Sequence, residues 1–359
     1  MMTFEELMNY SIENNCSDIH ITAGTNLAVR RNGDLEILDT IPTIEEAEKM
    51  IFEILKDEEI DRVKRGSDLD IGGMINGIRI RGNIYHQRNN LAASIRILMP
   101  EIPTFEDLGL PSVIRELAES HQGMILVTGP TGSGKSTTLA AIVDYINKTA
   151  SKHVVTIEDP IEYVYSHDKA MIHQREIGKD VRSFSAALRS VLREDPDIIL
   201  VGEMRDFETI QAAITAAETG HLVLSTLHTN SAAQTIERII GSCPSDIQDQ
   251  IRVQFSNCVK GVISQQLLPT QDGMRRVLAT EIMVGTIPIR TLIRENKITQ
   301  IPGTILSSHK DGMHTFNEDL IRLIRNDEIS KKIAMNATYD PVELGANLGM
   351  SNTFGSISF

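Results

Sequence analysis

The stretch from Gly129 to Ser136 reads Gly-Pro-Thr-Gly-Ser-Gly-Lys-Ser, and Thr137 follows it. It fits the Gly-x4-Gly-Lys-Ser/Thr pattern of a phosphate-binding P-loop in full. An apolar run at 124–128 predicts a buried strand before the loop, and the pattern at 136–148 predicts a helix after it. Glycines let backbone N–H groups turn toward phosphate oxygens, and the N-terminus of a helix favours an anion. The stretch therefore predicts a nucleotide-binding α/β fold.

The pattern also assigns roles within the loop. Lys135 is predicted to reach the β- and γ-phosphates, and the hydroxyl of Ser136 to ligate Mg²⁺. A chance match of four fixed positions occurs in roughly one chain in a hundred of this length. The strand before the loop and the helix after it lower that frequency further. The residues predicted to bind the nucleotide are Gly129, Thr131, Gly132, Ser133, Gly134, Lys135, Ser136 and Thr137.

Two acidic segments follow predicted strands and supply the carboxylates that hydrolysis requires. Residues 158–162 read Glu-Asp-Pro-Ile-Glu and follow the predicted strand 154–157. Residues 198–203 read Ile-Ile-Leu-Val-Gly-Glu, an apolar strand that ends in Glu203 like a Walker B motif, with Gly202 where Asp is common. Ligands bind at the carboxyl ends of strands in open α/β sheets, so the segments favour hydrolysis. The alternative is that these acids are solvated loop charges.

A pair of histidines brackets the next predicted strand. His221 and His228 flank the apolar run 222–226. We expect both to lie at the carboxyl edge of the sheet, where they are candidates for sensing the γ-phosphate. The alternative is that they are hydrogen-bonded core residues.

Two domains are predicted. Residues 1–99 are expected to form a small α/β domain, and Asn32-Gly33 and Asn76-Gly77 are hairpin signals within it. Its predicted strands are 18–22, 27–31, 35–38, 70–74, 78–84 and 92–98, and its predicted helices are 1–14 and 43–56. Pro100 and Pro103 end regular structure, which places a linker at 100–111.

Residues 112–359 are predicted to form the ATPase domain. Strands at 124–128, 154–157, 198–201 and 222–226 alternate with helices at 136–148, 184–192 and 207–218. Such alternation predicts a mostly parallel sheet that is covered on both faces. Residues from about 246 to the end are predicted to be mainly helical, with a frayed tail at 351–359.

Composition narrows the class of partner. The formal net charge of −14 argues against nucleic acid as the main partner, because phosphate contacts need Lys and Arg. The three cysteines, Cys16, Cys243 and Cys258, form no Cys-x-x-Cys pair, which argues against a disulfide framework and a zinc knuckle. No apolar run reaches the ~18 residues of a membrane span. These features predict a cytoplasmic protein without a transmembrane segment.

The motifs together resemble a known family. They occur in the order of the Walker A box, acidic box, atypical Walker B and histidine box of the secretion ATPases of type II secretion and type IV pili. The resemblance covers essentially the whole chain, and Ser17-Asp18-Ile19-His20 is similar to the opening strand of that family. It implies a PAS-like N-terminal domain and a RecA-like ATPase domain with a helical C-terminal extension. It also implies ATP and Mg²⁺ as cofactors and a homohexamer.

Roles for further residues come from the same resemblance. Glu162 is expected to be the general base that positions the attacking water. Glu203 and Ser136 are expected to hold Mg²⁺, partly through water, and His228 to belong to the catalytic set. Arg81 and Arg96 are expected to contact the γ-phosphate across a subunit boundary, with Arg79 a weaker candidate. Taken from the residues alone, these are solvated strand arginines.

Within the family, the chain is most similar to pilus retraction motors of the PilT type. Residues 288–295 read Pro-Ile-Arg-Thr-Leu-Ile-Arg-Glu and resemble the Ala-Ile-Arg-Asn-Leu-Ile-Arg-Glu segment of those motors, and the tetracysteine zinc module of many assembly ATPases is missing. The resemblance implies a motor for pilus retraction and twitching motility, bound peripherally to the inner membrane through a platform protein. Alternatives are a pilus-assembly or type II secretion ATPase, a DNA translocase and a non-hydrolysing regulator.

Overall fold

The computed structural model describes residues 2–75, 78–98 and 101–349. It comprises two compact units, Met1–Glu101 and Ile102–Phe359. The predicted turn at Asn76-Gly77 and the predicted tail lie outside the described residues. Both units mix helices and strands, so the predicted α/β class is confirmed. Across the described ranges, no helix has the length and apolarity that crossing a membrane requires.

The first unit is a six-stranded antiparallel sheet with three helices on one face. Its strands are β1 (Cys16–Thr22), β2 (Ala28–Arg31), β3 (Asp34–Ile37), β4 (Leu69–Ile75), β5 (Ile78–Gln87) and β6 (Asn90–Leu98), in the order β3-β2-β1-β6-β5-β4. Its helices are α1 (Phe4–Glu13), α2 (Ile44–Phe52) and α3 (Asp57–Lys64). Side chains alternate along a strand, so Ile19 and Ile95 enter the core while Asp18 and Arg96 face away from it.

The helix predicted at 43–56 is observed as α2, which ends four residues earlier, and α3 was not predicted. α2 ends at Phe52, and α3 begins at Asp57 after an extended Lys56. The side chain of Glu59 accepts the backbone N–H of Lys56 at 2.8 Å, which starts the second helix. Three acids in the first turn of α3 also complement the helix dipole. A new start signal therefore divides a stretch that looks continuously helical.

A seven-stranded sheet forms the centre of the second unit. Its strands are β7 (Gly123–Thr128), β8 (His153–Glu158), β9 (Met171–Glu176), β10 (Ile198–Val201), β11 (Leu222–Leu227), β12 (Val259–Pro269) and β13 (Arg276–Val284), in the order β13-β12-β7-β11-β10-β8-β9. Only the β12–β13 pair is antiparallel. Alternate residues of β7 enter two different apolar clusters, so both faces are covered as predicted.

Helices account for most of the remaining chain. They are α4 (Val113–Ala118), α5 (Lys135–Thr149), α6 (Phe184–Val191), α7 (Phe207–Glu218), α8 (Ala232–Gly241), α9 (Gln248–Cys258), α10 (Ile287–Arg294), α11 (Ile301–Ser307), α12 (Phe316–Arg325), α13 (Lys331–Ala337) and α14 (Pro341–Asn347). In the segment predicted as the linker, Phe105 is buried in the second unit and stacks on Tyr145, with 5.2 Å between the ring centroids. The residues around Phe105 therefore belong to the packed ATPase unit.

Among the described residues from about 246 onward, helices outnumber strands, as expected, but two strands in this part of the chain were not predicted. Two long strands, β12 and β13, lie in this part of the chain, and β12 pairs directly with the P-loop strand β7. α9 ends at Cys258 and β12 starts at the next residue, so no glycine or proline marks the change. Polar residues at 264–266 also interrupt the apolar run. The interruption hides a strand whose polar side chains serve the nucleotide site.

Candidate nucleotide site

The P-loop joins β7 to α5 with the geometry that the pattern predicts. Gly129 has a φ of 146°, and a Cβ there would lie 2.2 Å from the carbonyl oxygen of Gln265, so a side chain does not fit. Lys135, the first residue of α5, is 9 % exposed, and its ammonium donates to the carbonyls of Gly129 (2.9 Å) and Pro130 (3.0 Å). The side chain of Lys135 thus folds back onto the carbonyls at the start of the P-loop.

The remaining predicted loop residues differ in exposure. Thr131 and Ser136 are exposed, whereas Ser133 is buried and its Oγ has no hydrogen-bond partner among the described residues. Thr137 is half-buried and shares a hydrogen bond of 3.0 Å with the hydroxyl of Tyr163. A buried hydroxyl without a partner costs free energy, so Ser133 is suited to contact a polar ligand. Gly132 and Gly134 both have positive φ, as the tight turn requires.

Gln265 on β12 supports the loop from below, and no sequence pattern pointed to it. Its side chain is 3 % exposed, donates to the carbonyl of Ser133 at 2.7 Å and accepts from Thr138 Oγ1 at 2.9 Å. The residues it joins are more than a hundred positions away. Only the pairing of β12 with β7 brings them together, and β12 itself was not predicted.

The acidic segment after β8 is held beside the P-loop helix. Gln174 on β9 donates to the carboxylate of Glu158 (3.1 Å) and to the carbonyl of Tyr163 (2.8 Å). Burial raises the pKa of Glu158, and hydrogen bonds from Thr156, from Gln174 and from the backbone at Glu162 oppose that rise. Glu162 itself is exposed. The segment therefore presents Asp159 and Glu162 to solvent and keeps Glu158 as an internal support.

The negative charges of both predicted catalytic acids act on the P-loop lysine. Burial lowers the pKa of Lys135, while the charges of Glu203 and Glu162 raise it. Glu203 follows β10 and Glu162 follows β8, two neighbouring parallel strands. Carboxyl ends of parallel strands meet at one edge of the sheet, and this is the edge at which β7 enters the P-loop. The structure therefore brings Lys135, Glu162 and Glu203 to one place, as predicted.

Glycine in the Walker B position has a structural reason. A Cβ on Gly202 would lie 3.3 Å from the carbonyl oxygen of Ile157 and 3.6 Å from the ring of Phe184. The Gly202 N–H donates to the same Ile157 carbonyl at 2.8 Å, and Thr226 Oγ1 donates to the Gly202 carbonyl at 2.6 Å. The approach is tight for a Cβ, so the aspartate that commonly stands there would push the Ile157 carbonyl aside by a few tenths of an ångström.

Glu203 is held by two side chains at the same edge. Its carboxylate lies 2.5 Å from Arg205 Nε and 3.5 Å from His228 Nε2, and its side chain is largely buried. His228 follows β11, so its placement at the carboxyl edge agrees with the sequence-based expectation. The histidine box and the Walker B acid are thus in contact.

The expectation that His221 shares this edge is wrong. His221 precedes β11, and its Nδ1 lies 2.9 Å from the carbonyl of Ala216, at the amino edge of the sheet. The strand between the two histidines has six residues, which places their ends about 20 Å apart. Two histidines at opposite ends of one strand must lie at opposite edges of the sheet. The separation of His221 from His228 could therefore have been predicted from the sequence.

The two predicted arginines lie opposite each other in the first unit. Arg81 on β5 pairs in register with Arg96 on β6, and both are exposed on the polar face of the sheet. Asp18 continues the row on β1, and its carboxylate accepts Arg96 Nε at 2.9 Å. Arg30 on β2 lies 3.9 Å from the same carboxylate. Like charges directly opposite destabilise a sheet, so a paired arginine row is a candidate anion-binding face.

The oxygen donors at the P-loop suit Mg²⁺ together with phosphates. Mg²⁺ prefers oxygen ligands and is commonly held by one or two protein groups and substrate phosphates. The exposed hydroxyl of Ser136 and the carboxylate of Glu203 are donors of that kind. Among the described residues, no three His, Cys, Asp or Glu side chains converge to hold a metal alone. The residues therefore fit a metal that arrives with a nucleotide.

The comparisons with known proteins identify the family of this chain. A family model described as type II/IV secretion system protein matches residues 2–281. The chain belongs to this family. It is a P-loop ATPase, as the loop and the two carboxylates indicate.

The similarity to known proteins extends over most of the chain. The chain is 43 % identical over 336 residues to the type IV pilus retraction ATPase PilT of Pseudomonas aeruginosa, which covers 93 % of this chain and 97 % of that protein. It is 44 % identical over 309 residues to a twitching motility protein of Neisseria gonorrhoeae, with 85 % and 82 % covered. A crystal structure of the retraction motor PilT with bound ADP superposes with a TM-score of 0.87, at 44 % identity and with 96 % and 100 % covered. The similarity to these secretion-family ATPases therefore extends over both units.

Proposed function

We propose that this member of the secretion ATPase family is a ring-forming motor that hydrolyses ATP to retract type IV pili. The observation that carries the proposal is the similarity to PilT over nearly the full length of both proteins. The P-loop, Glu162 and Glu203 at one sheet edge supply the chemistry. α10, which carries the segment similar to that of retraction motors, is anchored by buried Ile289 and Ile293. The catalytic residues thus support ATP hydrolysis, and the helix that resembles that of retraction motors supports retraction.

Binding of ATP would rearrange the contacts of the P-loop lysine. Lys135 now donates to two loop carbonyls, and phosphate oxygens are stronger, charged acceptors. The same loop also offers the backbone N–H groups at the start of α5 and the buried hydroxyl of Ser133, which has no partner among the described residues. Ser136 and Glu203 would hold Mg²⁺, which neutralises charge on the phosphates when it is bound. The chain thus supplies the positive field and the oxygen ligands that phosphoryl transfer requires.

Glu162 is proposed to orient and deprotonate the attacking water. It is exposed, whereas Glu158 is half-buried and held by hydrogen bonds from Thr156 and Gln174, so Glu162 has freer access to a reactant than Glu158. The contact of Tyr163 with Thr137 ties the acidic segment to the helix that follows the P-loop. His228, in contact with Glu203, is proposed to respond to the γ-phosphate. A change at the phosphate would thus reach two strands of the sheet.

Arg81 and Arg96 are proposed to reach the γ-phosphate of a neighbouring copy in a homohexamer. An arginine supplied in trans stabilises the charge that develops during transfer and is worth orders of magnitude in rate. Loss of the γ-phosphate would release this contact and let the two units move about the connecting segment. The motor would work in the cytoplasm, docked on a platform protein of the pilus machine at the inner membrane.

An assembly or secretion ATPase of the same family is the second candidate, because the catalytic residues do not distinguish the two directions of work. The net charge of −14 disfavours a DNA translocase. DNA-stimulated ATPase activity would restore that alternative.

Phosphate release by the purified ring tests the catalytic assignment. We expect Glu162→Gln to lower kcat by about 10²-fold or more, because general-base catalysis contributes 10²–10⁴. ADP affinity should stay within about twofold of wild type, because the P-loop is unchanged. Asp168→Asn is the control, because Asp168 is an exposed acid in the segment between β8 and β9 that also carries Glu162. This variant should hydrolyse ATP at the wild-type rate. Wild-type activity in Glu162→Gln would show that another group is the base.

A further inference from the structure

Glu281 is a buried carboxylate that the nucleotide site does not use directly. It lies on β13, is 9 % exposed, and its Oε1 accepts the backbone N–H of Ala232 at 2.8 Å. Ala232 is the first residue of α8, and residues 229–231 connect that helix to His228. The carboxylate therefore anchors one end of the segment whose other end carries the histidine.

Four residues in register place this anchor across the sheet from the histidine box. Leu227 on β11 pairs with Thr128 on β7, Thr128 with Ser264 on β12, and Ser264 with Glu281 on β13. Thr128 Oγ1 also donates to Ser264 Oγ at 2.9 Å, directly beneath the P-loop. The row crosses three inter-strand spacings, about 14 Å. Only four residues, 228–231, lie between Leu227 at the end of β11 and Ala232 at the start of α8, so the hydrogen bond at Ala232 holds a short segment that carries His228.

The buried charge works against stability. Burial raises the pKa of Glu281 from 4.5 to about 6, and the hydrogen bond from Ala232 opposes that rise. The carboxylate is therefore charged and buried at neutral pH, where an apolar residue of similar volume would often be more stable. Its hydrogen bond to α8 does fix the start of the helix, where a negative charge is favoured. A group that lowers stability while it holds a loop end is better explained by positioning than by folding.

We propose that Glu281 is a positioning residue for His228, holding the start of α8 so that the histidine stays in contact with Glu203. The proposal rests on the role given to His228 in the proposed function. His228 Nε2 lies 3.5 Å from Glu203 Oε2, so a small displacement of the segment would separate the two. Loss of the hydrogen bond at Ala232 provides such a displacement, because Ala232 is only four residues from His228.

The experiment measures kcat, the KM for ATP and the melting temperature of the full-length ring at pH 7.5. Glu281→Leu removes the acceptor and the charge, and we expect kcat to fall about tenfold with KM within about twofold. The melting temperature should stay near that of wild type, because removal of the buried charge offsets the loss of the hydrogen bond to Ala232. Glu281→Gln keeps an acceptor of the same length and should recover part of kcat. In a His228→Ala background, Glu281→Leu should cause no further loss, because the two act as one unit.

Asp319→Asn is the matched control. Asp319 is also buried and accepts the backbone N–H of Thr280, the neighbour of Glu281 on β13, at 2.7 Å. The side chains of Thr280 and Glu281 point to opposite faces of the strand, so the variant should lower the melting temperature without changing the kcat of the folded enzyme.

The outcomes separate the two claims. An impaired His228→Ala with a wild-type Glu281→Leu would refute positioning by Glu281 and leave the role of His228 intact. Multiplicative losses in the double variant would refute it equally, because the two residues would then act independently. An unchanged kcat in His228→Ala would refute the role of the histidine and the proposal that depends on it.

Discussion

Gln265→Leu should damage both the stability of the ATPase unit and its affinity for nucleotide. The substitution leaves the carbonyl of Ser133 and the hydroxyl of Thr138 buried without their present partner. Each such group costs about 1–3 kcal/mol, and the leucine recovers part of this by burial, so we expect a net loss of about 2–4 kcal/mol. A unit of this size loses about 2–4 °C per kcal/mol, which predicts a melting temperature lower by about 5–15 °C.

The effect on binding follows from the same contact, because Ser133 belongs to the loop that receives the phosphates. If about 1.4 kcal/mol of the loss falls on the loop geometry, the Kd for ADP rises about tenfold. Thermal unfolding and calorimetric titration with ADP measure the two quantities. Gln266→Leu is the control, because Gln266 is the next residue on β12 and its buried Oε1 has no partner among the described residues. It should leave both quantities unchanged or raise stability. A Gln265→Leu variant that matched wild type in both would refute the support role.

Three further perturbations test other parts of the account. Arg81→Ala should change the free energy of unfolding by less than about 0.5 kcal/mol, because Arg81 has no ion pair in the part of the chain that is described. The same variant should lower the ATPase rate of the assembled ring about 10³-fold. Gly202→Asp, which installs the common Walker B residue, should destabilise by about 1–3 kcal/mol by crowding the Ile157 carbonyl, as thermal unfolding would measure. The pKa of Glu281 rises from 4.5 in the unfolded chain to about 6 in the folded protein because of burial. Burial also raises the pKa of Tyr339, and the negative charge of Glu281 raises it further. The folded state therefore binds the extra proton, and chemical unfolding should show wild type losing about 2 kcal/mol relative to Glu281→Leu as pH rises from 4 to 7.5.

Each of these has a result that contradicts it. A wild-type ATPase rate in an Arg81→Ala ring would refute the proposed contact of Arg81 with the γ-phosphate of a neighbouring copy. An unchanged melting temperature in Gly202→Asp would show that the glycine is not required by packing. A pH-independent stability difference at Glu281 would show that its carboxyl is not perturbed by burial.

The parts of the fold that the sequence predicted are those with an uninterrupted local signal. β10 was predicted at its observed bounds because four consecutive apolar residues form a fully buried strand. α7 was predicted as closely because Asp206 caps it and its apolar residues recur at the helical period. β12 was missed because Gln265 and Gln266 interrupt its apolar pattern, and β13 because Thr280 and Glu281 interrupt its own. Gln265 supports the P-loop, so a residue that the site needs breaks the apolar pattern by which the strand would have been recognised.

The candidate site divides along the same line. Lys135, Glu162 and Glu203 were predicted, because a loop pattern and strand ends specify them within short stretches of sequence. Gln265 and Glu281 were not, because their partners lie far away in the chain and meet them only through strand register. The direction of β11 follows from the sequence itself, and it places His221 at the amino end of the strand, away from the P-loop.

Filming of pili in living cells tests the central claim most directly. A strain that lacks this gene would be complemented with the wild-type chain or with Glu162→Gln, and pili would be counted and followed for shortening. The account predicts more pili without retraction in the deletion strain and with Glu162→Gln, and normal retraction with wild type. Few or no pili in the deletion strain would contradict it and would identify the chain as an assembly motor.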